Sequence, residues 1–438
     1  KIAYFSFTDS NGNQSTFDIA FAVSPSVDMT QESAKDWISN LSDIISQYNQ
    51  WVTDAHSSWQ DFVNANKELI ESIDPGGKVL AELIDARVSP EGDTYSSLGR
   101  RLEYLQSDPN KLKFMSLSVT YNSNEPNRYS NIISQYKSLG TPINFINMCS
   151  ISSSTASDVA SAPYNDLQAA ITQAISNGYR IELIKPHVGP NNNDGFNKTA
   201  YLPDNTDTFF SNYKNLLLDQ AKLADANNIP ALCLETELNQ LAVPAYYDKW
   251  QDIVNSIRSA YPKLKLTVAS AGAYDNDSQK IFNLVDIIGI NWYPSYAFKQ
   301  INTGADIPSE AAMSQQLLTS HINDSENPGS QSDVSKFLQM SDTFRKPIWI
   351  TETGVMPKPD GLATLISQQS SSADNYTVVA AAMSTMAHTL GRMGPVCGLS
   401  WWSSQSPFNP APEDGETTGT DAQNAWRALV EEMYIDEL

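Results

Sequence analysis

From Asn110 onward the sequence alternates between two patterns eight times over, and that regularity constrains the fold more than any single motif. Apolar, β-type runs recur as LKFMSLSVTY, INFINMCSI, RIELIKPHV, IPALCLETEL, LKLTVAS, VDIIGINWYP, PIWITETGV and VCGLSWW. Between them lie segments with helical spacing, among them RYSNIISQYKSLG, YNDLQAAITQAISNG, FFSNYKNLLLDQAKLADANN, YYDKWQDIVNSIRSAYP and SDVSKFLQMSDTF. Apolar strands alternating with amphipathic helices read as parallel strands joined by crossovers. Eight such units over about 330 residues is the count of an α/β fold of the (β/α)8 barrel type. A doubly wound sheet is the rival architecture. It normally carries a glycine-rich phosphate turn after its first strand, and none is present.

The first quarter of the chain reads differently. Residues 1–27 alternate apolar and polar over YFSF and TFDIAFAV around the turn signal DSNGN, which predicts a small strand pair. This opening reads as strands and not as a leader, so the chain is expected to begin inside a larger protein. Over residues 28–74 the pattern is helical. Leu41, Ile44, Tyr48, Trp51, Ala55, Phe62 and Leu69 form one stripe, and Ile38, Ile45, Val52 and Trp59 its neighbour. An uninterrupted helix over 31–73 exceeds an ordinary globular helix of about 11–12 residues. It predicts either a coiled coil between chains, with self-association as a trimer, or an intrachain hairpin. Residues 75–108 follow as a connector, and 109–438 form the barrel.

Charge narrows the partners. Asp and Glu number 50 against 28 Lys and Arg, a net charge of −22, so nucleic acid and anionic membranes are poor partners. No apolar run approaches the roughly 18 residues of a membrane span. The aromatic complement of 9 Trp, 19 Tyr and 15 Phe suits surfaces that stack on ligands. Cys149, Cys233 and Cys397 sit in apolar runs and are expected as buried thiols. The four histidines show no metal-ligand spacing, so no metal and no cofactor is expected.

In a barrel of this kind the site lies where strands end and βα loops begin. The fourth strand ends Leu234-Glu235-Thr236-Glu237-Leu238, the seventh Ile350-Thr351-Glu352-Thr353-Gly354. A buried lone carboxylate is costly, so two converging on one cavity indicate a task. Cleavage of a glycosidic bond needs two carboxyls and no metal: one protonates the leaving oxygen, the other attacks or activates water. Mutual repulsion keeps one of the pair protonated.

Here the sequence resembles clan A glycoside hydrolases, most closely the bacterial β-mannanases of family 113. The likeness runs through GYRIELIKPHV, FFSNYKNLLLDQAKLADANNIPALCLETEL, KWQDIVNSIRSAYP, VDIIGINWYP, PIWITETG and GLSWW. By that resemblance Glu237 is the general acid/base and Glu352 the nucleophile of a retaining mechanism. Retention implies carboxyls about 5–5.5 Å apart. His187, carried over in the same way, would hydrogen-bond a sugar hydroxyl or the acid/base. A second, shorter likeness lies upstream. Asp85-Ala86-Arg87, Gly92, Tyr95, Leu98-Gly99 and Arg101-Leu102 resemble a segment of tail and baseplate proteins of phages of Gram-positive bacteria. It implies a virion tail location, contacts with other tail proteins, and action at the bacterial surface.

Three departures from the family pattern matter. Glu235 stands where glycine is usual and is expected to face inward with Glu237, paired with Lys185 from the third strand. The tryptophan-rich stretch after that strand is replaced by GPNNNDGFNKTAYLPDN, which puts mannan specificity in doubt, and Asn191 to Asp194 are candidates to line the entrance. The second strand offers no arginine to steer the nucleophile. Asn291 and Tyr293 should project inward, the tyrosine toward the nucleophile. Trp402 should form an apolar floor for one sugar ring, while Trp401 and Trp292, of opposite parity, should pack outward. The leading expectation is a glycosidase acting on a neutral or weakly charged polysaccharide. Its alternatives are a receptor-binding barrel that holds glycan without cutting it, and a secreted host enzyme with a helical spacer.

Overall fold

The computed structural model describes residues 2–8, 14–20, 42–47, 49–50, 54, 112–139, 141–271, 278–297, 306–320, 331–412 and 419–434. Eight parallel strands in it close into a barrel. They are β3 (Phe114–Tyr121), β4 (Ile143–Ile151), β5 (Ile181–Pro190), β6 (Ala231–Thr236), β7 (Lys265–Ala271), β8 (Ile288–Asn291), β9 (Ile348–Thr353) and β10 (Val396–Trp401). Each pairs with its sequence neighbour, and β10 closes the ring on β3 with Gly398 opposite Phe114. All eight predicted runs are strands.

The intervening helices are α1 (Pro126–Gln135), α2 (Tyr164–Ser176), α3 (Thr206–Ala226), α4 (Tyr247–Ala260), α5 (Glu310–Thr319), α6 (Asp333–Phe344), α7 (Tyr376–Thr389) and α8 (Asp421–Met433). Their starts are chemically marked. Asn205 accepts from Thr208 N, Ser332 from Ser335 N and Asn375 from Thr377 N, each satisfying an orphan helix donor. Thr420 and Gln423 close a reciprocal capping box on α8.

The barrel interior is filled in layers. At its base Leu183, Ala231, Cys233, Ala269, Ile287 and Trp349 form an apolar plug, with Phe114 stacked on Trp349 at 4.2 Å. Gly398 lies against that indole, where a Cβ would sit 2.6 Å from its Cδ1. Above it Ser116, Asn144 and Ser400 bond to one another at 2.8–2.9 Å, and Ser400 also accepts from Trp349 Nε1. The next inward positions up the strands form the site. Outward-facing Trp292 donates to Asp333 and packs edge-on to Phe337, while Trp401 packs near Trp426 of α8, as strand parity predicts. Cys149 and Cys233 are buried thiols, pushed up to about 12 by burial, but Cys397 is only half-buried, a departure from the expectation for all three.

The chain divides into two units, Lys1–Arg101 and Leu102–Leu438. In the first, β1 (Ile2–Thr8) and β2 (Gln14–Ala20) pair antiparallel with Phe5 opposite Phe17. Residues 42–47, 49–50 and 54 are helical, and the remainder of the helix expected over 31–73 lies outside the described residues, as does the connector 75–108.

Candidate active site

Glu352, the penultimate residue of β9, is buried and held from three sides. Its Oε1 receives Lys185 Nζ at 2.5 Å and lies 3.1 Å from His187 Nε2, a charge contact outside good hydrogen-bond geometry. Its Oε2 accepts from the Tyr293 hydroxyl at 2.8 Å. Lys185 is wholly buried and also donates to Asn291 Oδ1 (3.1 Å) and Thr351 O (3.4 Å). Asn291 then links the two acids, since its Nδ2 donates to Glu237 Oε1 at 2.9 Å while Thr351 Oγ1 fixes its oxygen.

Glu237 sits one residue beyond β6 in the left-handed region, at φ 57°, with its N–H bonded to Ala269 O. A non-glycine residue there is strained, and such strain gathers where side-chain placement matters. The two carboxyls experience opposite environments. Burial raises the Glu237 pKa, and the negative Glu352 raises it further, against weaker opposing pulls from Asn291, Lys198 and His187. Burial acts the same way on Glu352 but is outweighed by Lys185 and His187, which hold it at about 2. Burial, with Glu352 and Glu237 beside it, pushes Tyr293 well up, so its phenol remains a donor.

One expected pairing is wrong. Lys185 does not partner Glu235. The chain turns sharply after β6, and Glu235 Oε2 accepts from Leu238 N at 2.8 Å inside that turn, leaving the ammonium to Glu352. Glu235 is buried below the pair, and burial raises it to about 8. Lys185 thus supplies from the third barrel strand the cation missing from the second. His187, expected to meet a sugar hydroxyl or the acid/base, lies with its Nε2 3.1 Å from Glu352 Oε1.

Trp402 follows β10, and its N–H bonds to Thr353 O. Gly354 permits this approach, because a Cβ there would lie 2.1 Å from Trp402 O. The Trp402 ring stacks on His187 at 5.1 Å and 7°. It also lines a cavity of about 610 Å³ whose wall includes Asn122, Asn124, Asn192, Gln405 and Phe408. The loops after β3 and β5 join along that wall through Asn124 Nδ2 to Asn191 O (3.3 Å) and Asn192 Nδ2 to Ser123 Oγ (3.2 Å). Asp194 and Lys198, on the second of these loops, reach the site as well: His187 Nδ1 lies 2.8 Å from Asp194 Oδ1, and Lys198 Nζ 3.0 Å from the same oxygen. The sequence singled out Asp194 only as an entrance residue and Lys198 not at all. Their placement depends on Asn191 and Asn192, both at positive φ, and the run of asparagines was the available signal.

The model of glycoside hydrolase family 113 matches residues 156–422, more than half of the chain. The chain belongs to family 113. It is a glycoside hydrolase. Among solved structures, a GH113 β-1,4-mannanase complex aligns with a TM-score of 0.53 and 16% identity, covering 74% of this chain and 99% of that one. The GH113 β-mannanase AaManA from Alicyclobacillus acidocaldarius, in complex with ManMIm, aligns at 0.53 and 13%, covering 74% and 98%. At those identities the likeness is one of fold. No curated protein matches by sequence.

Proposed function

We propose that this family 113 hydrolase cleaves a neutral β-linked polysaccharide, mannan-like or carried on a bacterial surface, with retention of configuration. Glu237 acts as acid/base and Glu352 as nucleophile. The observation that carries the reading is the opposite ionisation of the two carboxyls: Glu237 is biased to keep its proton while Lys185 keeps Glu352 charged. Such a split assigns acid and nucleophile. Glu352 attacks the anomeric carbon as Glu237 gives its proton to the departing oxygen, so a glycosyl ester forms and the glycosidic C–O bond breaks. Water then attacks the same carbon, its proton passes to Glu237, and Glu352 leaves as carboxylate. While the ester stands, Lys185 keeps Asn291 and Thr351 O as partners.

A cavity lined by asparagines, Gln405 and Trp402, with Glu125, Arg128 and Asp194 among them, suits hydroxyl-rich rings. The β-1,4-mannanase to which the chain is similar makes β-1,4-mannan the first substrate to try. A barrel that merely holds glycan would need an obstructed pair, and Glu235 lies below the pair, tied to the backbone. Wild type and Glu352→Gln are incubated with β-mannan, glucomannan and Gram-positive surface polysaccharides, and new reducing ends are counted. Release by wild type alone is expected, with the product first appearing as the β-anomer by NMR. Binding without release by wild type would return the molecule to the receptor-binding class.

The same proposal extends to location. The likeness of residues 85–102 to phage tail proteins, together with exposed Ile44 and Ile45 on the helical residues 42–47, supports a depolymerase carried on a virion tail as a trimer. Light scattering on the full chain should return three times the chain mass. A monomer would leave the secreted enzyme.

A further inference from the structure

The loop after β5 does more than border the cavity. It leaves the strand through Asn191 and Asn192, at φ 51° and 60°, and folds Asp194 back over His187. Lys198 clamps it there, donating to Asp194 O at 2.9 Å and to Asp194 Oδ1 at 3.0 Å from a position only 4% exposed. A lysine so buried is costly unless fully paired, so this clamp is a built feature of the loop. Its carboxylate points at His187 Nδ1, whose opposite nitrogen faces Glu352 and whose ring lies flat on Trp402. The loop therefore touches, through one imidazole, both the carboxyl read as nucleophile and the sugar platform.

We propose that Asp194 is a positioning residue for the nucleophile: clamped by Lys198, it holds His187 edge-on to Glu352 and flat against Trp402. This rests on the reading of Glu352 as nucleophile. Carboxylate oxygens stand at both nitrogens of this ring, and the Asp194 contact at Nδ1 fixes which edge the ring presents to Glu352. The titratable groups that face the ring's surroundings are Asp194 and Glu352 at its nitrogens, Lys185 on its own strand, Lys198 on the loop and Glu237 beyond β6. Without Asp194 the ring keeps one anionic partner and is free to turn.

The test compares wild type, Asp194→Asn, Lys198→Met and Glu352→Gln. Each is measured for hydrolysis of β-mannan across pH and for covalent labelling by a dinitrophenyl fluoro-mannoside, read as protein mass. Asparagine keeps the size and an acceptor oxygen, so a loop-holding role alone would survive it. The expected result for Asp194→Asn is a fall in kcat of about ten- to a hundredfold with KM little changed, since misplacing a reacting group acts on turnover. Labelling should slow in parallel. Lys198→Met should reproduce the direction of each change. If wild type is active, Glu352→Gln is not, and Asp194→Asn keeps the wild-type kcat and labelling rate, the proposal is overturned while the nucleophile stands. A wild type that neither cleaves nor takes the label overturns the reading of Glu352 and the proposal together.

Discussion

The charge of Glu352 depends first on a buried ammonium. Burial alone would push its carboxyl upward, and the pKa of about 2 exists because Lys185 lies 2.5 Å away, with His187 acting in the same direction. On the proposed reading of Glu352 as nucleophile and Glu237 as acid/base, activity is bounded on the acid side by protonation of Glu352 and on the alkaline side by loss of the Glu237 proton, whose pKa lies above the ordinary 4.5. Lys185→Met removes the largest influence holding Glu352 down, so the acid limb of kcat/KM should shift to higher pH and neutral-pH turnover should drop. A pH–rate profile of that variant checks both, and an unmoved acid limb would show that Lys185 does not set the nucleophile's charge. Asn291 makes the complementary case. Its bond lowers the Glu237 pKa, so Asn291→Ala should carry the alkaline limb upward in the same assay.

Elements set how closely these groups can approach, and two glycines separate support from function. Alanine at Gly398 would press on Trp349, whose ring is fixed by Phe114 and Ser400, so the base of the barrel is overpacked by about 1–3 kcal/mol. Thermal unfolding should show that loss, with kcat/KM of the folded enzyme unchanged. Alanine at Gly354 would instead drive into the backbone of Trp402 beside the site, and there kcat/KM should fall. Strand ends were legible in the sequence because inward and outward residues alternate, so Lys185, His187, Asn291 and Tyr293 on one side, and Trp292 and Trp401 on the other, could be assigned by parity. Parity stops where a strand stops. Glu235 was expected to meet Lys185 because both face inward, but the left-handed turn at Glu237 gave it a backbone partner, and a turn angle is not written in alternation. Asp194 and Lys198 lie on a loop whose path follows two positive φ angles, so the clamp on His187 was out of reach.

At the scale of the molecule, burying carboxyls couples the fold to pH. Glu235 lies beneath Glu237 and Glu352, and Glu182 lies where the β4–β5 register shifts by a residue; both are fully enclosed and raised by burial to about 8 from an ordinary 4.5. In the folded chain they keep their protons to well above neutrality, whereas in the unfolded chain they ionise near 4.5. The stabilisation they allow is therefore complete below 4.5 and is lost as pH rises toward and through about 8. Glu352 has the opposite sign, but its window lies between about 2 and 4.5, so it adds no slope above that range. Within the raised window each ionising group costs up to about 1.4 kcal/mol per pH unit. Glu182→Gln supplies a neutral group of the same shape far from the site. It should leave stability in acid nearly unchanged and reduce the decline in denaturation midpoint between about pH 5 and pH 9, with catalysis unaltered. A decline as steep as that of the wild type would show that Glu182 is already ionised in the folded chain, and that the fall comes from the other raised carboxyls, Glu235 and Glu237 among them.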